Sequence, residues 1–196
     1  MAPAICTITS RMTTDAAAAR MVEALTAVGI PNMLVGSYSR NYYAIPRSTK
    51  DVDIVIELPS QVLLAELASR IAPEFVMDAQ ITYETITGNV RHIIRCPGSA
   101  IVVELFILGN DEFQRHRFAR RREVRIPALN ATINLPTAED VVIQKLRWGR
   151  PKDLDDVLDV LAVQAGKIDH AYIEDWCRRL NILDRYLAVR ATVPEI

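Results

Sequence analysis

The segment Val35-Gly36-Ser37, thirteen intervening residues (38–50), then Asp51-Val52-Asp53-Ile54 is the most informative stretch of this chain. Asn32 to Val35 is apolar and short, a buried strand that stops at Gly36-Ser37, and Val52 to Leu58 is a second strand interrupted only by Asp53 before Glu57. A strand repeats every two residues, so Asp51 and Asp53 present both carboxylates to the same side. Two anions so close repel each other, and a hard divalent cation such as Mg²⁺, which takes oxygen ligands, would compensate them. The plainer alternative is that Asp51 ends the strand in solvent and only Asp53 is special. At Gly36 the missing Cβ lets backbone amides approach a phosphate, and the Ser37 hydroxyl can donate to it. The intervening residues read as a polar loop whose Arg40, Arg47 and Lys50 would suit a polyphosphate or, equally, solvent.

Working outward, Thr13-Thr14-Asp15 offers helix caps, and Met21, Val22, Leu25 and Val28 recur at helical spacing before Gly29. Pro59-Ser60 opens a helix with Leu63, Leu64, Leu67 and Ile71, closed by Pro73; Phe75 to Met77 is a brief strand. Val90 to Arg95, the turn Cys96-Pro97-Gly98-Ser99 and Ala100 to Leu108 form an antiparallel hairpin whose second arm carries Glu104. Residues 111 to 122 read as an arginine-dense helix, followed by strands at Val124 to Ile126 and Thr132 to Asn134. From Pro136 the pattern is helical, with Thr137 and Asp140 as a capping box and Gly149-Arg150-Pro151 as a break. The expected fold is α+β: a mixed β-sheet core over residues 1–135 with helices packed on it, and a small helical C-terminal lobe over 136–196.

Composition excludes several classes. The 196 residues suit one compact unit, and the hydrophobic half and charged quarter of the chain argue against disorder and coiled coil. No apolar run approaches the roughly 20 residues that span a bilayer. The N-terminal ten residues lack the basic and apolar regions of a secretory signal, so a cytoplasmic location is expected. Cys6, Cys96 and Cys177 are too widely spaced for a zinc site and read as reduced thiols. A formal charge of −1 argues against a protein coated in basic charge. His92, His116 and His170 lack metal-ligand spacing, and no P-loop, Gly-x-Ser-x-Gly or Gly-x-Gly-x-x-Gly motif occurs.

The Gly36-Ser37 and Asp51-Val52-Asp53-Ile54 pair, at this spacing, resembles the signature of the DNA polymerase β-like nucleotidyltransferase superfamily. Arg47-Ser48-Thr49-Lys50-Asp51 is similar to the approach segment of its small bacterial branch, which includes abortive-infection-type toxins. The resemblance spans roughly residues 20 to 165. It implies a third carboxylate on a neighbouring strand, for which Val103-Glu104-Leu105 fits with Glu in place of the usual Asp. It further implies that Asp51, Asp53 and Glu104 are metal ligands, holding two Mg²⁺ or Mn²⁺ ions, and catalytic groups. Gly36, Ser37, Arg47, Thr49, Lys145 and Asp153 would then bind a nucleoside triphosphate, with Lys145 also a catalytic residue that neutralises charge building on the leaving group. Transfer of a nucleoside monophosphate to RNA, a protein hydroxyl or a small molecule follows, and toxin–antitoxin members of the superfamily add an antitoxin-like protein partner. A catalytically silent nucleotide- or protein-binding module on the same fold is the alternative.

Lys145 falls inside the apolar arc formed by Ala138, Val141, Val142 and Leu146, so it either extends to water along its stem or points at nucleotide phosphates. Lys145-Leu146 and Lys152-Asp153…Asp156 look like segments of the small nucleotidyltransferases; the plain role of Asp153 and Asp156 is to complement a helix N-terminus. Arg115, Arg117, Arg120, Arg121, Arg122 and Arg125 form the one basic concentration, by default a solvated face.

Overall fold

Alternation in Asp51–Ile56 (β2) sends Val52, Ile54 and Ile56 to one face, where all three are fully buried, and Asp51, Asp53 and Val55 to the other. The computed structural model describes residues 12–193, so the reading of the first ten residues and Cys6 lies outside the described residues. β2 lies beside Asn32–Leu34 (β1) as an antiparallel pair and beside Val102–Ile107 (β6) as a parallel one. Val90–Arg95 (β5) continues the sheet antiparallel to β6, and two-residue strands Val76–Met77 (β3) and Thr82–Tyr83 (β4) both pair with β5. The sheet order is β1-β2-β6-β5-β3, mixed as expected. A separate ribbon pairs Arg122–Ile126 (β7) with Ala131–Leu135 (β8).

Helices Thr14–Ala27 (α1) and Gln61–Ile71 (α3) cover the apolar face; Thr13 and Ser60 cap them, each side chain accepting a backbone N–H two or three residues on. Met21, Leu25, Leu67 and Ile71 there meet Ile54, Val103 and Leu105 in one core. Each such fully buried side chain contributes about 1.5–3 kcal/mol.

The opposite face of the sheet packs against Phe118 of Glu112–Ala119 (α4), and Gly36–Tyr43 (α2) starts there against Asp53 and sends Tyr38 into the core of the apolar face. The expected polar loop after Ser37 is corrected here: α2 occupies its first part, leaving only residues 44–50 irregular. Ser-Tyr-Ser-Arg-Asn-Tyr-Tyr has weak helix propensity and no apolar stripe, but Tyr38, Ser39 and Arg40 are buried, so tertiary packing overrides local preference. The arginine-rich helix is also shorter than expected, ending before β7 begins at Arg122.

Ala138–Trp148 (α5), Pro151–Val163 (α6), His170–Arg179 (α7) and Leu183–Arg190 (α8) build the C-terminal lobe around a second core. Thr137 caps α5 by accepting from the Asp140 amide, and Gly149 ends it in a left-handed conformation (φ 64°) before Pro151 starts α6. Phe113 of α4 packs into this second core edge-on to Trp176, tying the lobe to the sheet. Cys96 and Cys177 are buried free thiols, and burial pushes Cys177 up to about 12. No helix among the described residues is long and apolar enough to cross a membrane.

Candidate active site

The parallel register sets Asp53 directly beside Glu104, with Asp51 one pleat back on the same face. These three carboxylates line a cleft of about 660 Å³ between the sheet and the C-terminal lobe. β1 delivers the chain to the same point: the Val35 amide donates to the Asp53 carbonyl at 2.8 Å, and α2 begins at the next residue. Gly36 has φ +60°, and a Cβ on it would overlap Asp53 Oδ2 and lie 2.8 Å from Asp53 Cγ. Only glycine fits. No side chain caps α2, and Gly36 and Ser37 at its start line the cleft, an arrangement that attracts anions.

Burial pushes the Asp53 carboxyl up to about 6, with Glu104 and Asp51 adding repulsion and Lys145 and Lys152 opposing it. An all-oxygen donor pair crowded by like charge is what a hard divalent cation relieves, so Asp51 and Asp53 fit Mg²⁺ in donor chemistry. Glu104 is differently placed. Arg91 of β5 donates to both its oxygens, at 3.1 and 3.3 Å, and among the described residues no group of three acidic, histidine or cysteine side chains stands close enough to hold a metal ion. The hairpin register sets Ile93 opposite Glu104 and Arg91 opposite Phe106, so Arg91 reaches Glu104 on the diagonal, two residues along the same face.

Lys145 neither reaches water nor stands free for a phosphate. It is buried, with Nζ 3.0 Å from Asp153 Oδ1 and 2.7 Å from Asp156 Oδ2. Asp156 also takes Arg40 Nε and Arg47 Nη2, each at 3.0 Å, while Asp153 takes Arg150 Nε at 2.5 Å and Arg40 reaches on to Asp159. Burial opposes ionisation of Asp153 and Asp156, yet hydrogen bonds from Arg150 and Lys145 to the first, and from Arg47 and Lys145 to the second, hold both below the usual carboxylate range. These aspartates therefore do more than complement a helix N-terminus. They bind α2, the 44–50 segment, α5 and α6 into one ionic knot.

The cleft thus brings together Gly36, Ser37, Arg47, Thr49, Asp51, Asp53, Glu104 and Lys145, whereas Asp153 does not line it. The Thr49 hydroxyl donates to the Asp51 carbonyl at 3.1 Å, fixing the entry to β2.

The same fold recurs in solved structures. ANT(2″)-Ia in complex with adenylyl-2″-tobramycin superposes with TM-score 0.59 at 8% identity, over 89% of this chain and 99% of that one. A nucleotidyltransferase-like antigenic protein from Paracoccidioides brasiliensis gives 0.50 at 16% identity, over 93% and 94%. This chain has the nucleotidyltransferase fold. No protein-family model matches the sequence, and no curated protein does. At such low identities it is the nucleotidyltransferase fold that is shared, with the abortive-infection branch suggested only by the sequence segments.

Proposed function

We propose that this nucleotidyltransferase-fold protein is a Mg²⁺-dependent enzyme that moves a nucleoside monophosphate from a nucleoside triphosphate to a hydroxyl acceptor. The observation that carries this reading is the glycine at position 36, whose absent Cβ lets an uncapped helix start stand against Asp53 in register with Glu104. The leading amides of α2 and the Ser37 hydroxyl would hold triphosphate oxygens, with Arg47 and Lys145 adding positive potential along the cleft wall. Asp51 and Asp53 would hold the metal, which when bound neutralises charge on the phosphoryl oxygens and the departing pyrophosphate. Glu104 would accept the proton of the acceptor hydroxyl as its oxygen bonds to the α-phosphorus and the bond to the β-phosphate breaks. Arg91 orients that carboxylate until the acceptor arrives. The acceptor is RNA, a protein hydroxyl or a small molecule, as for the adenylyl-tobramycin of ANT(2″)-Ia; the fold alone does not choose.

Calorimetry with each nucleotide in Mg²⁺, on wild type and on Asp51→Ala/Asp53→Ala, tests the site: binding unaltered by the double change removes the metal assignment. The ion pair between Glu104 and Arg91 favours a second reading, a nucleotide-binding module without turnover. Nucleotide binding without transfer of label to any component of a cell extract would select it.

A further inference from the structure

The arginine run is the sequence feature that this reaction leaves unused, and one member of it does not belong to a solvated face. Arg117 of α4 is 4% exposed and lines the cleft with Gln114 of the same helix and Gln144 of α5, whose amides are bonded to each other. Its Nε is buried with no partner among the described residues. The two carboxylates near enough to influence it are committed elsewhere. Asp111 accepts from Arg147 at 2.9 and 2.7 Å and caps α4. Asp140 accepts from the hydroxyls of Thr137 at 3.0 Å and Tyr172 at 2.6 Å, with Arg120 at 3.4 Å. Burial, with Arg147 adding to it, lowers the guanidinium to about 10 against the pull of Asp140 and Asp111, so it stays charged at neutral pH. Among the described residues this buried cation of the cleft thus has no acceptor, although burying an unpaired charge is unfavourable.

We propose that Arg117, flanked by Gln114 and Gln144, receives a phosphate-type oxyanion of a ligand bound in the cleft. A planar guanidinium pairs with two oxygens of such a group at once, and neutral amides beside it add hydrogen bonds without competing charge. The location suits this. Val55 and Phe106 lie two residues beyond Asp53 and Glu104 on the same sheet face, and Phe118, next to Arg117, packs against them. Two residues along a strand is roughly 7 Å, so this end of the cleft lies beyond the carboxylates rather than among them. The identity of the ligand rests on the nucleotidyl-transfer reading: the oxyanion comes from the polyphosphate tail of the nucleotide or from an anionic acceptor.

The test is calorimetric titration of wild type, Arg117→Met and Arg117→Lys with inorganic phosphate, with and without saturating Mg²⁺-ATP, beside melting curves of the ligand-free proteins. Wild type should bind phosphate, and Arg117→Met should bind it at least tenfold more weakly while melting no lower. Competition between ATP and phosphate assigns the site to the nucleotide tail; simultaneous binding assigns it to the acceptor. Wild type that binds no phosphate, or an Arg117→Met protein that binds it as well as wild type, overturns the proposal. Should Arg117→Met not fold, Arg117→Lys, which keeps the charge and loses the planar fork, should bind phosphate several-fold more weakly at an unchanged melting temperature, and equal binding there rejects the role. ATP that fails to bind wild type counts against the transfer reading alone, because the phosphate arm is read independently.

Discussion

Two pairs of aspartates stand within the same part of the molecule and differ in almost every physical respect. Asp153 and Asp156 on α6 are buried and matched by four cations, Lys145, Arg40, Arg47 and Arg150, which hold their carboxyls below the usual range. Asp51 and Asp53 on β2 have a glutamate beside them, and Asp53 is pushed up to about 6. The first pair is internally neutralised and holds the lobe to the helix that presents Ser37; the second is left with excess negative charge facing a cleft. A carboxylate whose counter-ions the chain supplies is structural, and one whose counter-ion must come from outside is a candidate for chemistry.

The largest effect should come from opening the neutralised pair. Lys145→Met removes the buried cation that bonds both carboxylates, and breaking a buried ion pair from one side costs about 3–5 kcal/mol. For a chain of this size that lowers the melting point by roughly 6–20 °C. Neither sequence reading of Lys145, a stem extended to water or an ammonium facing phosphates, gives it this structural load. A Lys145→Met protein that melts with wild type would show that the knot does not stabilise the fold.

Asp53→Asn should do the reverse. It removes a charge that two neighbouring carboxylates oppose, so melting should hold steady or rise, while nucleotidyl transfer falls by about 10²–10³, the scale of losing one preorganised electrostatic group. Melting curves and transfer rates on one preparation check both halves; retained transfer would detach Asp53 from the reaction.

The contrast also explains what was legible in the sequence. Strand alternation and the punctuation around it gave the two faces of β2, the Val90–Leu108 hairpin and the capped α1 and α5, because those signals are local. Asp51, Asp53 and Glu104 stood out because charges are rare in strands so apolar. The parallel pairing of β2 with β6 and the ionic knot bring together residues far apart in the chain; Arg47 and Asp156 are 109 positions apart, and no local period encodes their meeting. For the same reason α2 read as loop and Arg117 as solvated, since each owes its state to burial by distant elements.

Gly36→Ala is a milder perturbation aimed at the boundary of the unmatched pair. A left-handed backbone costs a residue with a Cβ about 1–2 kcal/mol, and relief of the overlap must displace the Asp53 carboxylate. Melting should fall by roughly 2–8 °C while transfer drops further than stability accounts for. Loss of stability with transfer intact would mean that Asp53 tolerates displacement.

The smallest effect on stability, and the finest probe of the second region, is Arg91→Met. Arg91 and Glu104 keep 29% and 22% of their side chains exposed, and a pair partly open to solvent at a cleft wall is worth about 0–1 kcal/mol, so melting should barely move. Without Arg91, the carboxylate beside Asp53 loses its compensating charge, and the site becomes more negative. If Glu104 belongs with Asp51 and Asp53 as a metal ligand, Mn²⁺ should bind several-fold more tightly to Arg91→Met than to wild type in a direct titration. The added Glu104→Gln change should cancel the gain. Mn²⁺ affinity that is equal in wild type and Arg91→Met would instead make the Arg91 pairing the resting role of Glu104 and leave the metal to the two aspartates of β2.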